Sequence, residues 1–233
     1  MYVSDANYLA ALVKGVRERA GMTQRGLADA MGYSEALIQK IELGTRMPGL
    51  KVLAALAGVL ELSSWESRYL HLLGGRTMQD SGTPPPNIEG YLESLMPHPA
   101  AWITPGWTIV HANSKFERLF PGLWMTPNFI HWHYHSVKSR KVIDNWEQTS
   151  EWCVGWLRWS LAANPDDPAL KRIVNSLMPI SVFQQQWQQP IPIDPDTRAW
   201  VINDSVGAVQ ILDMRTWHNP QSSGSLLLGV ASG

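Results

Sequence analysis

The chain has little cysteine, no long apolar run and no strong excess of either charge. Its single cysteine, Cys153, cannot close an internal disulfide, which favours a reducing compartment. The longest useful apolar run, Val52 to Leu60, is far shorter than the roughly 20 residues of a membrane helix. Met1 to Asp5 lack a basic region followed by an apolar one, so we expect no signal peptide. These features predict a cytoplasmic location without a membrane partner.

Charge alone does not identify a partner. The formal net charge of -1 argues against a polyanion-binding arm. Residues 14–51 hold seven basic and four acidic side chains, which makes a mild positive patch in the first third of the chain. Such a patch is weaker than the basic stripe of a strong non-specific nucleic-acid binder.

Tryptophan is unevenly distributed: eleven of the twelve lie beyond Gly75, so the two parts of the chain differ in composition. Residues 74–88 combine glycines and polar residues with three prolines, which is typical of a linker that is stiffer at its end. We predict domains at residues 1–75 and 89–233, joined by a linker over 76–88. An ordinary surface loop is the other interpretation of this segment.

The first domain is predicted to be all-α, with five helices. Leu9, Leu12, Val13 and Val16 recur at helical spacing on one face. Further helices are predicted after Thr23, over residues 34–43, from Pro48, and after Ser63 or Ser64.

Residues 23–44 contain two short helices separated by a turn at Gly32. Two such helices cross steeply and share a small core, which Leu27, Met31, Ile38 and Ile41 supply. The second of them then presents an outward stripe of Glu35, Ala36, Gln39, Lys40 and Leu43. Such a helix fits the DNA major groove, where its first turns meet base edges.

This segment resembles the helix-turn-helix of the Cro-type, or XRE, repressor family over about residues 8–62. The shared features are the Thr23-Gln24 start, the Leu27-Ala28 pair, the turn glycine, and Ile-x-x-Ile-Glu-x-Gly from Ile38 to Gly44. The resemblance implies DNA binding and an architectural pair between Arg17 and Glu42. The predicted DNA-binding residues are Gln24, Arg25, Ser34, Glu35, Ala36, Gln39, Lys40 and Arg46.

One departure from the family pattern concerns Glu35 and Ala36, which replace the amide side chains common at the base-reading positions. Glu35 can accept a hydrogen bond from cytosine N4 but repels a close phosphate. The target sequence therefore cannot be copied from relatives. A helical bundle that serves only as a protein interaction module is the alternative interpretation of this domain.

The second domain is predicted to be α+β with an antiparallel sheet. Short strands at 101–103 and 107–111 surround Pro105-Gly106, a helical middle includes residues 144–163, and strands follow at 199–203, 209–216 and 226–231. Asn113 or Ser114 is the expected cap of a helix that carries Phe116 and Phe120. Asp167 and Pro168 are expected to start a later helix.

Residues 107–120 resemble the opening of a PAS domain, and the wider layout resembles the ligand-binding domain of MmyB-like regulators. The matching elements are the Asn128 segment, residues 144–147, residues 164–168, Phe183 with Trp187, and the closing strands. The resemblance implies a PAS-like fold with an apolar pocket, for which a fatty-acid-like ligand is expected.

Trp152, Trp156 and Trp159 recur at helical spacing. Such an aromatic stripe indicates either a packed core or a helix that lines an apolar cavity. The predicted ligand-binding residues are Trp107, Phe116, Phe120, Trp152, Trp156 and Trp159.

Neither metal binding nor catalysis is predicted. His131, His133 and His135 share one face on a strand, but on a helix only His131 and His135 do, and no cysteine or carboxylate completes a metal site. Cys153 lies in an apolar helix without a basic neighbour on its turn. The sequence contains no nucleophile elbow, phosphate loop or dinucleotide fingerprint. We expect no cofactor and no enzymatic activity.

Taken together, the sequence predicts a bacterial transcriptional regulator that binds operator DNA as a homodimer and senses a small apolar molecule. The alternative is a helix-turn-helix interaction protein, of the antitoxin or anti-repressor type, whose second domain binds a protein partner.

Overall fold

The computed structural model describes residues 5–75, 84–194, 199–204, 207–218 and 224–231. These form two compact units. One contains the N-terminal helices together with residues 161–166 and 188–192, and the other contains most of the rest of the chain. Much of the predicted linker, residues 76–83, lies outside the described residues.

The first unit is helical, as predicted. Its helices are α1 (Asp5–Arg19), α2 (Gln24–Met31), α3 (Glu35–Glu42), α4 (Leu50–Val59) and α5 (Ser64–Leu73). The hydroxyl of Thr23 caps α2 by accepting from the Gly26 amide, and Gly32 ends that helix in the left-handed conformation, at φ 71°. Ser63 caps α5 in a reciprocal arrangement with Glu66.

The start of α4 differs slightly from the prediction. Pro48 precedes the helix, and Gly49 is its cap, because the Gly49 carbonyl accepts the first hydrogen bond, from Leu53. The reason is local: a proline fits either just inside or just outside a helix start, since it needs no amide partner there.

The core of the first unit follows the predicted spacing. Leu9, Leu12, Val13 and Val16 of α1 are all buried. Leu27, Ile38 and Ile41 join them, whereas Met31 is only half-buried. Gly15 allows a close approach on the same helix, since an added Cβ would lie 3.0 Å from the Pro190 side chain.

The second unit contains an antiparallel five-stranded sheet in the order β2-β1-β5-β4-β3. Its strands are β1 (Ala100–Ile103), β2 (Ile109–Ala112), β3 (Ala199–Asn203), β4 (Val209–His218) and β5 (Ser225–Ala231). The prediction of an α+β domain with an antiparallel sheet is confirmed.

Seven helices accompany the sheet in the described part of this unit. They are α6 (Ile88–Ser94), α7 (Ser114–Leu119), α8 (Phe129–His135), α9 (Ser139–Val142), α10 (Trp146–Ala163, which ends in the first unit), α11 (Pro168–Leu177) and α12 (Ser181–Trp187). The caps of α7 and α11 agree with the prediction, because the side chains of Asn113 and Asp167 accept backbone amides at the helix starts.

The two faces of the sheet have different coverings. On the inner face Trp200, Ile202, Leu212, Met214 and Leu227 are buried. On the outer face α6 covers the β1–β5 side, where Ile88 and Leu92 form a core cluster with Trp102. The β4 side of the outer face is exposed; it carries Val209, Ile211, Asp213, Arg215, Trp217 and Val230.

Strand β2 begins later than the sequence suggested. It starts at Ile109, not at Trp107, because the tight turn at Pro105-Gly106 extends to Trp107. The Trp107 amide donates to the Thr104 carbonyl, and Trp107 takes a left-handed backbone conformation at φ 63°. This conformation is uncommon for a bulky residue.

Candidate DNA-binding surface and ligand pocket

Helix α3 separates into a buried and an exposed face. Ile38 and Ile41 are fully buried against the other N-terminal helices. The predicted reading residues all lie on the exposed side: Ser34, Glu35, Ala36, Gln39 and Lys40, followed by Leu43. The small and hydrogen-bonding side chains at the start of the helix leave room for a groove edge. The geometry of the helix is therefore that of a recognition helix presented outward.

A buried ion pair holds α3 to α1. The Arg17 guanidinium donates from Nε to Glu42 Oε1 at 2.6 Å and from Nη2 to Oε2 at 3.0 Å. A third hydrogen bond runs from Arg17 to the Met22 carbonyl, and the hydrogen bonds that Arg17 donates to Glu42 raise the pKa of Arg17. The predicted Arg17–Glu42 pair is thus present, and it holds α3 against α1.

Gln24 belongs to the same network. Its Nε2 donates to Glu42 Oε2 at 2.9 Å, so the side chain is occupied within the protein. The Gln24 backbone amide lies in the first turn of α2. Backbone N–H groups in a first turn have no partner within the helix and can bind an anion. For Gln24 to contact a phosphate, either its backbone N–H donates to the phosphate or its side chain first breaks the hydrogen bond to Glu42.

The other two predicted DNA-binding residues are exposed cations. Arg25 and Arg46 are exposed and flank α3 on its two sides in sequence. Arg25 lies 3.9 Å from the exposed carboxylate of Asp29, a contact that water weakens strongly. These positions suit contacts with a negatively charged backbone.

Three of the predicted ligand-binding tryptophans form one buried aromatic cluster. The Trp107 ring centroid lies 5.0 Å from that of Trp152 and 6.1 Å from that of Trp156. Trp200, which the sequence prediction did not include, lies 4.8 Å from Trp152. The indole N–H groups of Trp152 and Trp200 have no hydrogen-bond partner among the described residues, so the cluster holds unsatisfied polar atoms.

Phe116 and Phe120 lie elsewhere, in the wall of a cavity of about 550 Å³ between α6, β2 and α7. Phe120 also contacts Trp200 at 6.1 Å between ring centroids, so this ring stands between the cavity and the aromatic cluster. Trp159 is half-buried beside Trp156 and does not line this cavity. The predicted ligand set is therefore divided between a cavity and a packed core.

The cavity combines apolar and acidic side chains. Ile109, Val110, Leu123, Trp124 and Pro127 continue its apolar lining. Its polar residues are Glu89 and Glu93 of α6, His111 of β2 and Glu117 of α7. A concave surface of this size with convergent polar groups is typical of a small-molecule site.

Asn113 connects the elements that build the cavity. Its Oδ1 accepts from the amides of Ala100 and Phe116, and its Nδ2 donates to the carbonyls of Leu92 and His98. The side chain is fully buried. One amide group thus joins α6, β1 and α7.

The histidine-rich segment forms helix α8, which separates the three imidazoles. His131 and His135 lie one turn apart, with ring centroids 4.2 Å from each other. His133 is buried and stacks on Trp146 at 4.6 Å. Burial, together with the charge of Arg140, lowers the pKa of His133 to about 3. Within the described residues, no group of three metal-ligating side chains is found.

Cys153 is completely buried in α10, and this burial raises the pKa of its thiol well above the usual value. The thiol therefore stays protonated and a poor nucleophile at neutral pH.

None of the three acidic residues of the cavity was among the predicted ligand-binding residues. Glu89 and Glu93 lie on α6, which is only seven residues long and follows three prolines. Ile88 and Leu92, spaced four residues apart, are the signal in the sequence that identifies this helix.

Comparison with known families agrees with this geometry. Residues 84–232 match the MmyB-like transcription regulator ligand binding domain. The chain belongs to the MmyB-like transcription regulators. In this MmyB-like regulator, residues 13–64 also match a helix-turn-helix family. A protein of Bacillus subtilis (strain 168), described as "Uncharacterized HTH-type transcriptional regulator YazB", is 35% identical over 54 residues, which cover 23% of this chain and 78% of that protein.

These matches confirm the predicted XRE-type helix-turn-helix and the MmyB-like domain behind it. The MmyB-like regulator is thus a transcription regulator with a DNA-binding and a ligand-binding domain. None of its described helices is long and apolar enough to cross a membrane.

Proposed function

We propose that this MmyB-like regulator binds operator DNA through α3 and that a small, mainly apolar molecule in its C-terminal domain changes its operator affinity. The observation that carries the proposal is the division of α3 into a buried face at Ile38 and Ile41 and an exposed face of small and polar side chains. A helix so anchored enters a major groove without rearrangement of its own core.

The DNA contacts that we propose fall into two groups. Ser34, Glu35, Ala36, Gln39 and Lys40 approach base edges and the neighbouring backbone. Gln24, Arg25 and Arg46 contact phosphates, which position the protein without reading sequence. The buried Arg17–Glu42 pair supports both groups, because it keeps α3 fixed relative to α1.

The apolar nature of the ligand is supported by the cavity and by the aromatic cluster beside it. Phe116 and Phe120 line the cavity, and Trp107, Trp152 and Trp156 lie in the cluster, with Trp159 at its end. Fatty acids are the ligand class implied by the family resemblance and are the first class to test. A coupling of about 1–3 kcal/mol between sites changes operator affinity by roughly 5- to 150-fold.

The proposed PAS-like character of this domain is supported by the order of its elements. Strand β2 runs through Ala112-Asn113 into α7 with its paired phenylalanines, and three consecutive strands close the sheet. We also propose that the protein acts in the cytoplasm, where its DNA target is accessible.

We propose a homodimer that joins through the exposed outer face of β4. Val209, Ile211, Trp217 and Val230 expose apolar surface there. Asp213 and Arg215 lie among them with their charged groups 3.0 Å apart. A two-fold axis through this face would bring Arg215 of one copy to Asp213 of the other, so the charges of a second copy of this chain are complementary to it. Two recognition helices then read half-sites roughly 34 Å apart.

DNA binding is tested with an operator selected in vitro from random duplexes and measured by gel shift across a salt series. Each phosphate contact contributes about 0.9 to the slope of log K against log salt, so Arg46→Ala is expected to make the slope shallower by about one per protomer. Lys141→Ala, which removes an exposed cation of the C-terminal domain, is the matched control. An unchanged slope in the Arg46 variant would remove it from the proposed interface.

Ligand sensing is tested by native mass spectrometry of the purified protein, followed by gel shifts with and without the molecule that co-purifies. Two superimposed titration curves would refute sensing by this domain. Co-purification of a protein in place of a small molecule would instead favour the interaction-protein alternative.

A further inference from the structure

The rim of the cavity carries charge of one sign. Glu89, Glu93 and Glu117 are part of its lining, and no lysine or arginine is among the described residues that line it. Lys115 and Arg118 belong to the same helix as Glu117 but do not line the cavity. The charged side chains that line the opening are therefore predominantly acidic.

The three carboxylates differ in how far the protein itself occupies them. Glu89 lies 3.1 Å from His111 Nδ1, and Glu93 accepts a hydrogen bond of 2.7 Å from the Ser114 amide. The Glu117 side chain is exposed and has no hydrogen bond or ion pair within the described part of the chain. Glu117 is thus the carboxylate that is available to a ligand.

An exposed tryptophan stands at the same opening. Trp124 is 80% exposed and lines the cavity, although nine of the other tryptophans are buried in the protein. Phe116 and Phe120, both about 1% exposed, form the inner wall. An aromatic face beside carboxylates attracts an organic cation through both the ring quadrupole and the charges.

From these contacts we infer that the cavity binds an amphipathic cation, an amine or quaternary ammonium group attached to an apolar body. The apolar body lies against Phe116 and Phe120, and the cationic group lies between Glu117 and Trp124. The inference rests on the proposed function, because it names the ligand class of the domain proposed to sense a small molecule.

A carboxylate headgroup is disfavoured at this opening. It would lie beside three glutamates without a lining cation to neutralise it, and like charges in a cleft repel. The surface chemistry of the cavity therefore differs from that expected for the fatty acid implied by the family resemblance.

The experiment is isothermal titration calorimetry of the full chain with three ligands of equal chain length: decyltrimethylammonium, decanol and decanoate, each below its micelle concentration. The cation is expected to bind at least about tenfold more tightly than decanoate, a difference of ~1.4 kcal/mol. Its affinity is expected to fall as salt is raised, because the opening is exposed to solvent.

Glu117→Gln is expected to lower the affinity for the cation about threefold to tenfold and to leave the affinity for decanol unchanged. Glu147→Gln removes the same charge from an exposed position of α10 and is expected to change neither affinity. Trp124→Leu is expected to weaken the cation more than decanol, because it keeps the apolar contact but removes the aromatic face.

The outcomes separate this inference from the proposed function. If decanoate binds as tightly as the cation, or if Glu117→Gln and Glu147→Gln act alike, the cation inference is overturned. Operator gel shifts with decanoate, with decanol and with any co-purified molecule then test independently whether a ligand changes the operator affinity. If no probe binds, the inference also fails, and only a molecule recovered from the native protein can still support sensing.

Discussion

Arg17 and Glu42, 25 positions apart in the chain, share two hydrogen bonds of 2.6 and 3.0 Å between α1 and α3. The Glu42 side chain is 3% exposed and that of Arg17 is 10% exposed. Both side chains are therefore largely shielded from water, and the pair joins α3 to α1.

Glu42→Ala is expected to lower the free energy of unfolding by about 3 kcal/mol, because it leaves the Arg17 charge buried without its partner. Urea denaturation measures the change. Glu18→Ala is the control, since Glu18 is 55% exposed and lies 3.6 Å from the same guanidinium. We expect the control to cost less than ~0.5 kcal/mol, and equal losses in the two variants would contradict a structural role for the buried pair.

Glu35→Gln is expected to raise the affinity for non-specific DNA about twofold to fivefold. It is also expected to lower the ratio of the affinities for specific and random sites. Glu35 is exposed on the first turn of α3, where its charge repels phosphates but can accept a hydrogen bond from cytosine. Competition gel shifts with selected and random duplexes measure both effects. Glu18→Gln, on α1, provides the same charge change away from the recognition helix.

His133 is expected to make folding of the C-terminal domain sensitive to acid. Burial holds the pKa of His133 near 3, whereas an unfolded histidine has a pKa of about 6.5, so the unfolded chain takes up the proton first. The contribution to stability is therefore complete above pH 6.5 and is lost as the pH falls towards 3.

His133→Phe keeps the stack on Trp146 and removes the titrating group. Between pH 7.5 and 4.5 we expect the wild type to lose about 2–3 kcal/mol more than this variant, measured by urea unfolding at each pH. His135→Gln changes the exposed histidine on the same helix and is expected to follow the wild type. Parallel pH profiles for wild type and His133→Phe would show that His133 is not the group responsible.

Trp152→Ala is expected to destabilise the C-terminal domain by about 3–5 kcal/mol, because it opens a cavity in a cluster that is fully buried. Trp124→Ala removes the same side chain at an exposed site and is expected to cost less than ~0.5 kcal/mol. Chemical denaturation followed by circular dichroism measures both. A small loss for Trp152→Ala would mean that this ring borders a ligand space instead of the packed core.

Ile211→Glu is expected to convert the proposed homodimer to a monomer, since it buries a charge in the apolar part of the β4 face. Sedimentation velocity over a range of concentrations measures the change. Val137→Glu is the control, because Val137 is also exposed but lies on a different element, between α8 and α9. If Ile211→Glu remains a dimer with wild-type dissociation, the interface lies elsewhere.

The sequence predicts some of these features better than others, for identifiable reasons. The buried and exposed faces of α3 could be predicted because a 3.6-residue period records which side is apolar. Arg17 and Glu42 could be paired only through family resemblance, since nothing in their own spacing brings them together.

The tryptophans show what helical spacing cannot predict. The spacing of Trp152 and Trp156 identifies a common helix face, but it does not report what lies opposite that face. Here the opposite side is Trp107 and Trp200, from a turn and a distant strand. Helix α6 was missed because Ile88 and Leu92 are its only buried residues, so the acidic rim that it supplies was missed with it.

The fourfold hydrogen bonding of Asn113 limits which side chains this position accepts. Aspartate keeps the acceptor but has no N–H for the two carbonyls, and leucine has the volume but neither function. The amide oxygen and nitrogen of Asn113 bond to partners in α6, β1 and α7, so we expect this side chain to restrict movement of the elements around the cavity. We therefore expect Asn113 to limit the width of the molecules that the cavity admits.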